Sequence, residues 1–134
     1  MNRRLAILVG GLALLACAVP AMAHHSFAAE YDEKKPVTLK GVVTKVEWTN
    51  PHARFYLDVK DEHGNVVNWN LELASPNVLM RNGWTRKALQ AGDQVVVTGS
   101  QAKDGTNMAN ARAVTLSDGR KVFAGSSADG GPQQ

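Results

Sequence analysis

Four histidines carry most of the chemistry this chain can offer: His24, His25, His52 and His63. None falls on the apolar face of an expected strand. His24 follows the tripeptide Ala21-Met22-Ala23, the small-residue ending of an export leader. If cleavage falls after Ala23, the new α-amine and the His24 Nδ1 can chelate one Cu(II). A second imidazole would complete a site that resembles the histidine brace of copper carriers and copper monooxygenases. Nitrogen donors in a tetragonal plane suit Cu(II) better than most divalent ions. His25 offers another route, with its imidazole, the amine and the amide nitrogen between them. His52, in the polar corner Thr49-Asn50-Pro51-His52, is the best remaining ligand. His63 reads as a hairpin residue. The plainer alternative is that His24 is a tolerated polar residue and that His52 bonds a turn carbonyl. Zinc is a weaker reading, because neither Cys-x-x-Cys nor His-x-x-x-His is present.

Aromatic residues form the second constellation. Trp48 and Trp84 fall near expected loops, where they could line a cleft with His52 and Arg54 and stack a ligand. Trp69 shares its parity with Leu71 and Leu73 and reads as core. Nucleophilic catalysis has little support: Gly-x-Ser-x-Gly is missing, and the sole cysteine, Cys17, would leave with the leader. Glu47 and Glu72 can be drawn as a carboxylate pair, but both parities point to the outer face of a sheet. The Asp-Gly pairs at 104 and 118 are turns and lack the alternating oxygen ligands of a calcium loop.

The leader itself has a positive head, Asn2-Arg3-Arg4, and an apolar run from Leu5 to Ala16. That run falls short of the roughly 20 residues a membrane span needs. Residues 1–23 therefore read as a signal peptide, and the mature chain as periplasmic without a transmembrane segment. Lipidation at Cys17 is the alternative; it would leave His24 internal and abolish the brace. Removing Arg3 and Arg4 from 15 Lys+Arg leaves 13 against 12 acidic residues, a net charge of +1. Without a concentrated basic face, nucleic acid is not an expected partner.

The elements that must position these residues are mostly strands. Residues 24–36 read as an extended arm or loose turn. Residues 37–48 read as strand one, with Val42, Val46 and Trp48 on one face and a bend or bulge near Gly41. Residues 52–60 form strand two, with Phe55, Leu57 and Val59 inward and Arg54, Asp58 and Lys60 outward. Asp61 to Asn65 make a hairpin loop in which Gly64 takes positive φ. Residues 66–73 form strand three, with Asn68, Asn70 and Glu72 outward. Ser75 caps a short helix with Pro76 at its first position, ending at Asn82-Gly83. A further turn covers residues 84–89. Strands follow at 94–101, 107–116 and 121–123, and residues 124–134 read as a disordered tail.

That order predicts an all-β domain over residues 37–123. The architecture is a five-stranded OB-like Greek-key barrel with one short helix between strands three and four.

Several stretches also carry a family likeness: His24-His25-Ser26-Phe27-Ala28-Ala29-Glu30-Tyr31-Asp32, Leu39-Lys40-Gly41-Val42-Val43, Trp48-Thr49-Asn50-Pro51-His52, Gly83-Trp84 and Asp118-Gly119-Arg120. Together they resemble a family of small exported proteins from Gram-negative bacteria that carries the label "domain of unknown function". The resemblance implies export and an OB-like barrel, and supplies no activity. The expectation is thus a periplasmic binding or accessory protein, not an enzyme. Copper on His24, His52 and optionally His25 is the first ligand. A metal-free module for a small molecule, glycan or protein partner, using Trp48, Arg54 and Trp84, is the alternative. Copper-dependent oxidative catalysis is the more remote third.

Overall fold

The computed structural model describes residues 27–125. His24, His25, Cys17, the leader and the last nine residues lie outside that range. The elements are β1 (Tyr31–Glu47), β2 (Arg54–Lys60), β3 (Val66–Glu72), α1 (Pro76–Arg81), β4 (Gln94–Ala102), β5 (Met108–Thr115) and β6 (Lys121–Phe123). One sheet runs in the order β3-β2-β1-β4-β5-β6, and β3 also pairs with β5, which closes β1 to β5 into a ring. All pairings are antiparallel except β3–β5. The protein is the all-β, OB-like barrel its sequence predicts.

Alternation decides which side chains enter the barrel. Phe55 and Leu57 of β2 and Leu71 of β3 are buried, as are Val95 and Val97 of β4 and Val114 of β5. Each such side chain contributes about 1.5–3 kcal/mol when removed from water. The helix α1 closes one end of the core through Leu79. Its start follows from local chemistry: Ser75 Oγ accepts from the Val78 amide, and Pro76 fills the first turn, where no amide donor is needed.

β1 departs from the expected face. Val43 is buried and Val42 is 40% exposed. The reason is a bulge: Val43 faces Leu57 and Lys45 faces Tyr56, so Thr44 is an extra residue and parity changes there. Leu39 and Val43 therefore point inward before the bulge, and Val46 and Trp48 pack against the core after it. The irregularity lies three residues beyond Gly41. Gly41 has a different task, because a Cβ there would overlap the Asp58 carbonyl oxygen. Gly99 does the same on β4, against Asn110 O, where the β4–β5 register shifts. The two glycines let β1 and β4 approach their neighbours closely where the barrel bends.

β1 also starts earlier than the sequence suggests. Residues 27–30 form a helical turn, and Tyr31 to Pro36, expected in an arm, belong to the strand. Tyr31 pairs with Ala102 at the far end of β4, and regular pairing resumes at Pro36. At the other terminus Ala124, expected in the tail, is buried; its amide donates to Arg112 O and its carbonyl accepts from the Ala74 amide.

Candidate functional site

The corner between β1 and β2 is held to β3 by backbone bonds that outlast the regular strands. The Ala53 amide donates to Ala74 O at 3.1 Å, and the Leu73 amide donates to Ala53 O at 2.8 Å. His52 is half-buried beside this junction, with Nδ1 3.2 Å from Leu73 O. A carbonyl oxygen only accepts, so Nδ1 carries the proton. In the neutral ring the lone pair is then on Nε2. A backbone carbonyl holding one ring nitrogen is the usual support of a metal-binding histidine, because it fixes both tautomer and orientation. The same bond also satisfies the plainer reading of a turn-capping imidazole.

Arg54 stands two residues on, on the outer face of β2, directly opposite Glu72. Its Nη2 pairs with Glu72 Oε2, and its Nη1 donates to Asn70 Oδ1 at 3.2 Å. Glu72 is only 7% exposed, although parity puts it on the outer face. The cover is Tyr31, 41 residues earlier in the chain, whose hydroxyl donates to Glu72 Oε2 at 3.1 Å. Burial, and after it the adjacent Glu72 carboxylate, hold the Tyr31 hydroxyl well above the usual tyrosine range. Glu47 and Glu72 do not face each other as a pair: Glu47 takes Lys45 and Glu72 takes Arg54.

The segment before Tyr31 is tied down as well. The Lys103 amide donates to Glu30 O at 3.0 Å, and Lys103 Nζ donates to Ala28 O. The Phe27 ring lies 5.6 Å from the Tyr31 ring, centroid to centroid. The last residue of β3 and the one after it thus serve two distant parts of the chain. The Glu72 side chain receives Tyr31, and the Leu73 carbonyl receives His52.

The tryptophans divide. Trp48 packs partly buried against the core, and its indole Nε1 is buried without a hydrogen-bond partner among the described residues. Trp84, expected near a cleft, is 3% exposed, and its Nε1 donates to Phe123 O at 2.8 Å. Its ring and its donor are both used by the core. Trp48, His52 and Arg54 remain within one short stretch at the corner. His63 is exposed in the β2–β3 hairpin, where its amide bonds Asp61 Oδ1, as its turn reading implies. Among the described residues no three His, Cys, Asp or Glu side chains gather as a metal site. His24 and His25, the other two histidines, lie outside the described residues.

Sequence reasoning missed Tyr31 and treated Glu72 as an outward carboxylate. One clue was available: Glu72 and Arg54 stand at matching positions of adjacent strands, where opposite charges pair. Nothing local to Tyr31 announces its partner. Among the described residues no helix is long and apolar enough to cross a membrane. The model of the family of unknown function DUF6152 matches residues 12–111. None of the curated proteins matches the chain.

Proposed function

We propose, on the premise that this chain belongs to DUF6152, a family whose function is unknown, that it is an exported periplasmic binding or accessory module that takes up copper at its mature N-terminus. The family assignment supplies no activity, so the reading rests on the residues. Residues 1–23 have the composition of a cleaved leader. The exposed amine and His24 would provide two nitrogen donors, His52 a third, and His25 an alternative. The observation that carries the reading is the His52 Nδ1 contact to Leu73 O, which leaves Nε2 as the donor atom of a fixed ring. We read the protein as a binding module, not an enzyme.

The test is a Cu(II) titration of protein beginning at His24, followed by EPR. Two controls run beside it: one carries an extra residue before His24, and one carries His52→Ala. One-to-one nitrogen-rich binding is expected, weakened about tenfold or more by the extra residue (a change of about 1.4 kcal/mol), and with an altered spectrum in His52→Ala. Weak binding that is identical in all three proteins refutes copper.

A second reading is a metal-free OB-type module, favoured by one observation. The buried Trp48 Nε1 has no partner among the described residues and stands at the corner that also carries His52 and Arg54. Buried donors are ordinarily satisfied, so an unpartnered one beside this corner marks a place where the hydrogen bonding is incomplete, and a rearrangement of the corner on ligand binding would be needed to complete it. The outer face of strands two and three and the loop before strand two are where OB-folds bind ligands. Quenching of Trp48 fluorescence by a ligand that binds without copper would favour this reading.

A further inference from the structure

We propose that Asn82-Gly83 is a modification site masked by α1: the pair deamidates when the helix opens locally, and the product keeps the helix from closing again. Water is the co-reactant.

The fold itself creates the reactive pair. The Gly83 amide donates to Met80 O at 3.2 Å and the Trp84 amide to Leu79 O at 3.0 Å, with Gly83 at φ 88°. Those bonds satisfy carbonyls that a helix end otherwise leaves bare, and the residue that makes the turn takes a conformation only glycine adopts freely. Asn82 is the capping residue just before it. Asparagine followed by glycine is the pair most prone to cyclise, because no side chain shields the glycine nitrogen. In that reaction the Gly83 nitrogen, its proton lost to water, bonds to Asn82 Cγ. The Cγ–Nδ2 bond breaks and the nitrogen leaves as ammonia. Water then opens the cyclic imide at one carbonyl or the other, giving aspartate or its isomer with the backbone routed through the side chain.

The closed helix withholds both reacting groups. The Gly83 N–H is spent on Met80 O, and Asn82 Nδ2 donates to Val78 O at 2.9 Å, which ties the leaving amide to the preceding turn. Asn82 is also half-buried. Yet α1 has only six residues, too few to be stable alone. Its closure rests on the Ser75 cap and on Leu79 and Trp84 in the core. Elements of this kind open at lower free energy than a whole domain. Once residue 82 is aspartate, a carboxylate, which only accepts, faces the Val78 carbonyl, and its charge opposes the dipole at the helix C-terminus.

The experiment follows deamidation at Asn82 by peptide-mapping mass spectrometry in the full mature chain, incubated at neutral pH. Three forms are compared: unaltered, Ser75→Ala and Tyr31→Phe. The unaltered protein in concentrated urea is the unmasked reference. Ser75→Ala removes the acceptor of the Val78 amide, whereas Tyr31→Phe weakens the barrel at Glu72 without touching α1. The unaltered folded protein is expected to react at least about tenfold more slowly than in urea. Ser75→Ala is expected to react about fivefold faster than the unaltered protein, the factor for losing a typical N-cap, and Tyr31→Phe no faster. Below the unfolding transition the unaltered rate should stay nearly flat as urea is raised, because local opening exposes little surface. A folded rate equal to the urea rate shows that α1 masks nothing and overturns the proposal. An unchanged rate in Ser75→Ala overturns it as well. So does an equal acceleration by Tyr31→Phe, or a rate that climbs steeply with urea, since either assigns the reaction to global unfolding. The urea series decides the matter if Ser75→Ala does not fold. For the product, Asn82→Asp is expected to speed hydrogen exchange at the Trp84 amide several-fold; unchanged exchange there overturns the block on reclosing.

Discussion

Replacing Tyr31 by phenylalanine removes one oxygen atom and leaves the ring, so no cavity opens and the lost hydrogen bond is measured nearly alone. The hydroxyl donates to a carboxylate oxygen at 3.1 Å in a site where Tyr31 is 2% and Glu72 7% exposed. Hydrogen bonds to charged groups are worth about 1.5–3 kcal/mol, and the length of this one places it at about 1.5. In a domain of this size that is a fall in Tm of roughly 6–12 °C. Glu72→Ala is worse, because it strips both Tyr31 and Arg54 of their acceptor. The Arg54 side chain is 27% exposed and keeps Asn70, which limits the loss to about 3 kcal/mol, the low end for breaking a buried pair. With Glu72 absent the hydroxyl has nothing to lose, so Tyr31→Phe in the Glu72→Ala background is expected to cost close to nothing. The double-mutant cycle then gives a coupling of about 1–1.5 kcal/mol from urea unfolding. Strict additivity, or a Tyr31→Phe cost below about 0.3 kcal/mol, which is the ordinary scatter of independent sites, refutes the buried clasp.

The remaining expectations concern pH and close packing. Since the Tyr31 hydroxyl is held above its ordinary value in the folded protein, the unfolded chain deprotonates first. The stability it contributes is complete below about pH 10 and is lost as pH rises beyond it, by up to about 1.4 kcal/mol per pH unit. Comparing urea unfolding of the unaltered protein and Tyr31→Phe on either side of that pH should show the gap narrowing; a constant gap contradicts the assignment. Gly99→Ala places a methyl group against the Asn110 carbonyl oxygen, whereas Gly64→Ala, in open space at φ 84°, meets only backbone strain. The expected costs are about 2–3 kcal/mol for Gly99→Ala and about 1 kcal/mol for Gly64→Ala. The reverse order of urea midpoints would contradict the close approach of β4 and β5.

What could be read in advance was whatever depends on near neighbours. The faces of β2 and β3, the Gly64 turn and the Ser75–Pro76 helix start follow from alternation, φ preference and capping, and the structure has them where the sequence puts them. β1 was misread at Val42 because a bulge is set by the partner strand, and the extra residue Thr44 has no local mark. Glu72 was misread for a related reason. Parity says which side of a sheet a side chain takes, and says nothing about whether a distant segment covers that side. Trp84 looked like a cleft residue because it follows a turn, yet Phe123, 39 residues later, supplies the carbonyl that lets the indole be buried. In each case the deciding partner was far away in the chain. The corner residues His52 and Arg54 were legible as a cluster because they are two residues apart.

The ring of five strands is joined by only three facing residue pairs, Asn70 with Met108, Leu71 with Ala109 and Glu72 with Asn110. A cylinder with so short a seam is mechanically a rolled ribbon whose two long margins meet over part of their length. Were the seam to part, β3 and the Met108–Asn110 end of β5 would become free margins, and each would offer unpaired amides and carbonyls to a second chain. The backbone around Asn70 to Glu72 is accordingly the place where amide exchange should begin by local opening and not by global unfolding. Glu72 sits at that seam, so the bond from Tyr31 acts as a rivet across it: the residue that fastens the arm also keeps the ribbon rolled.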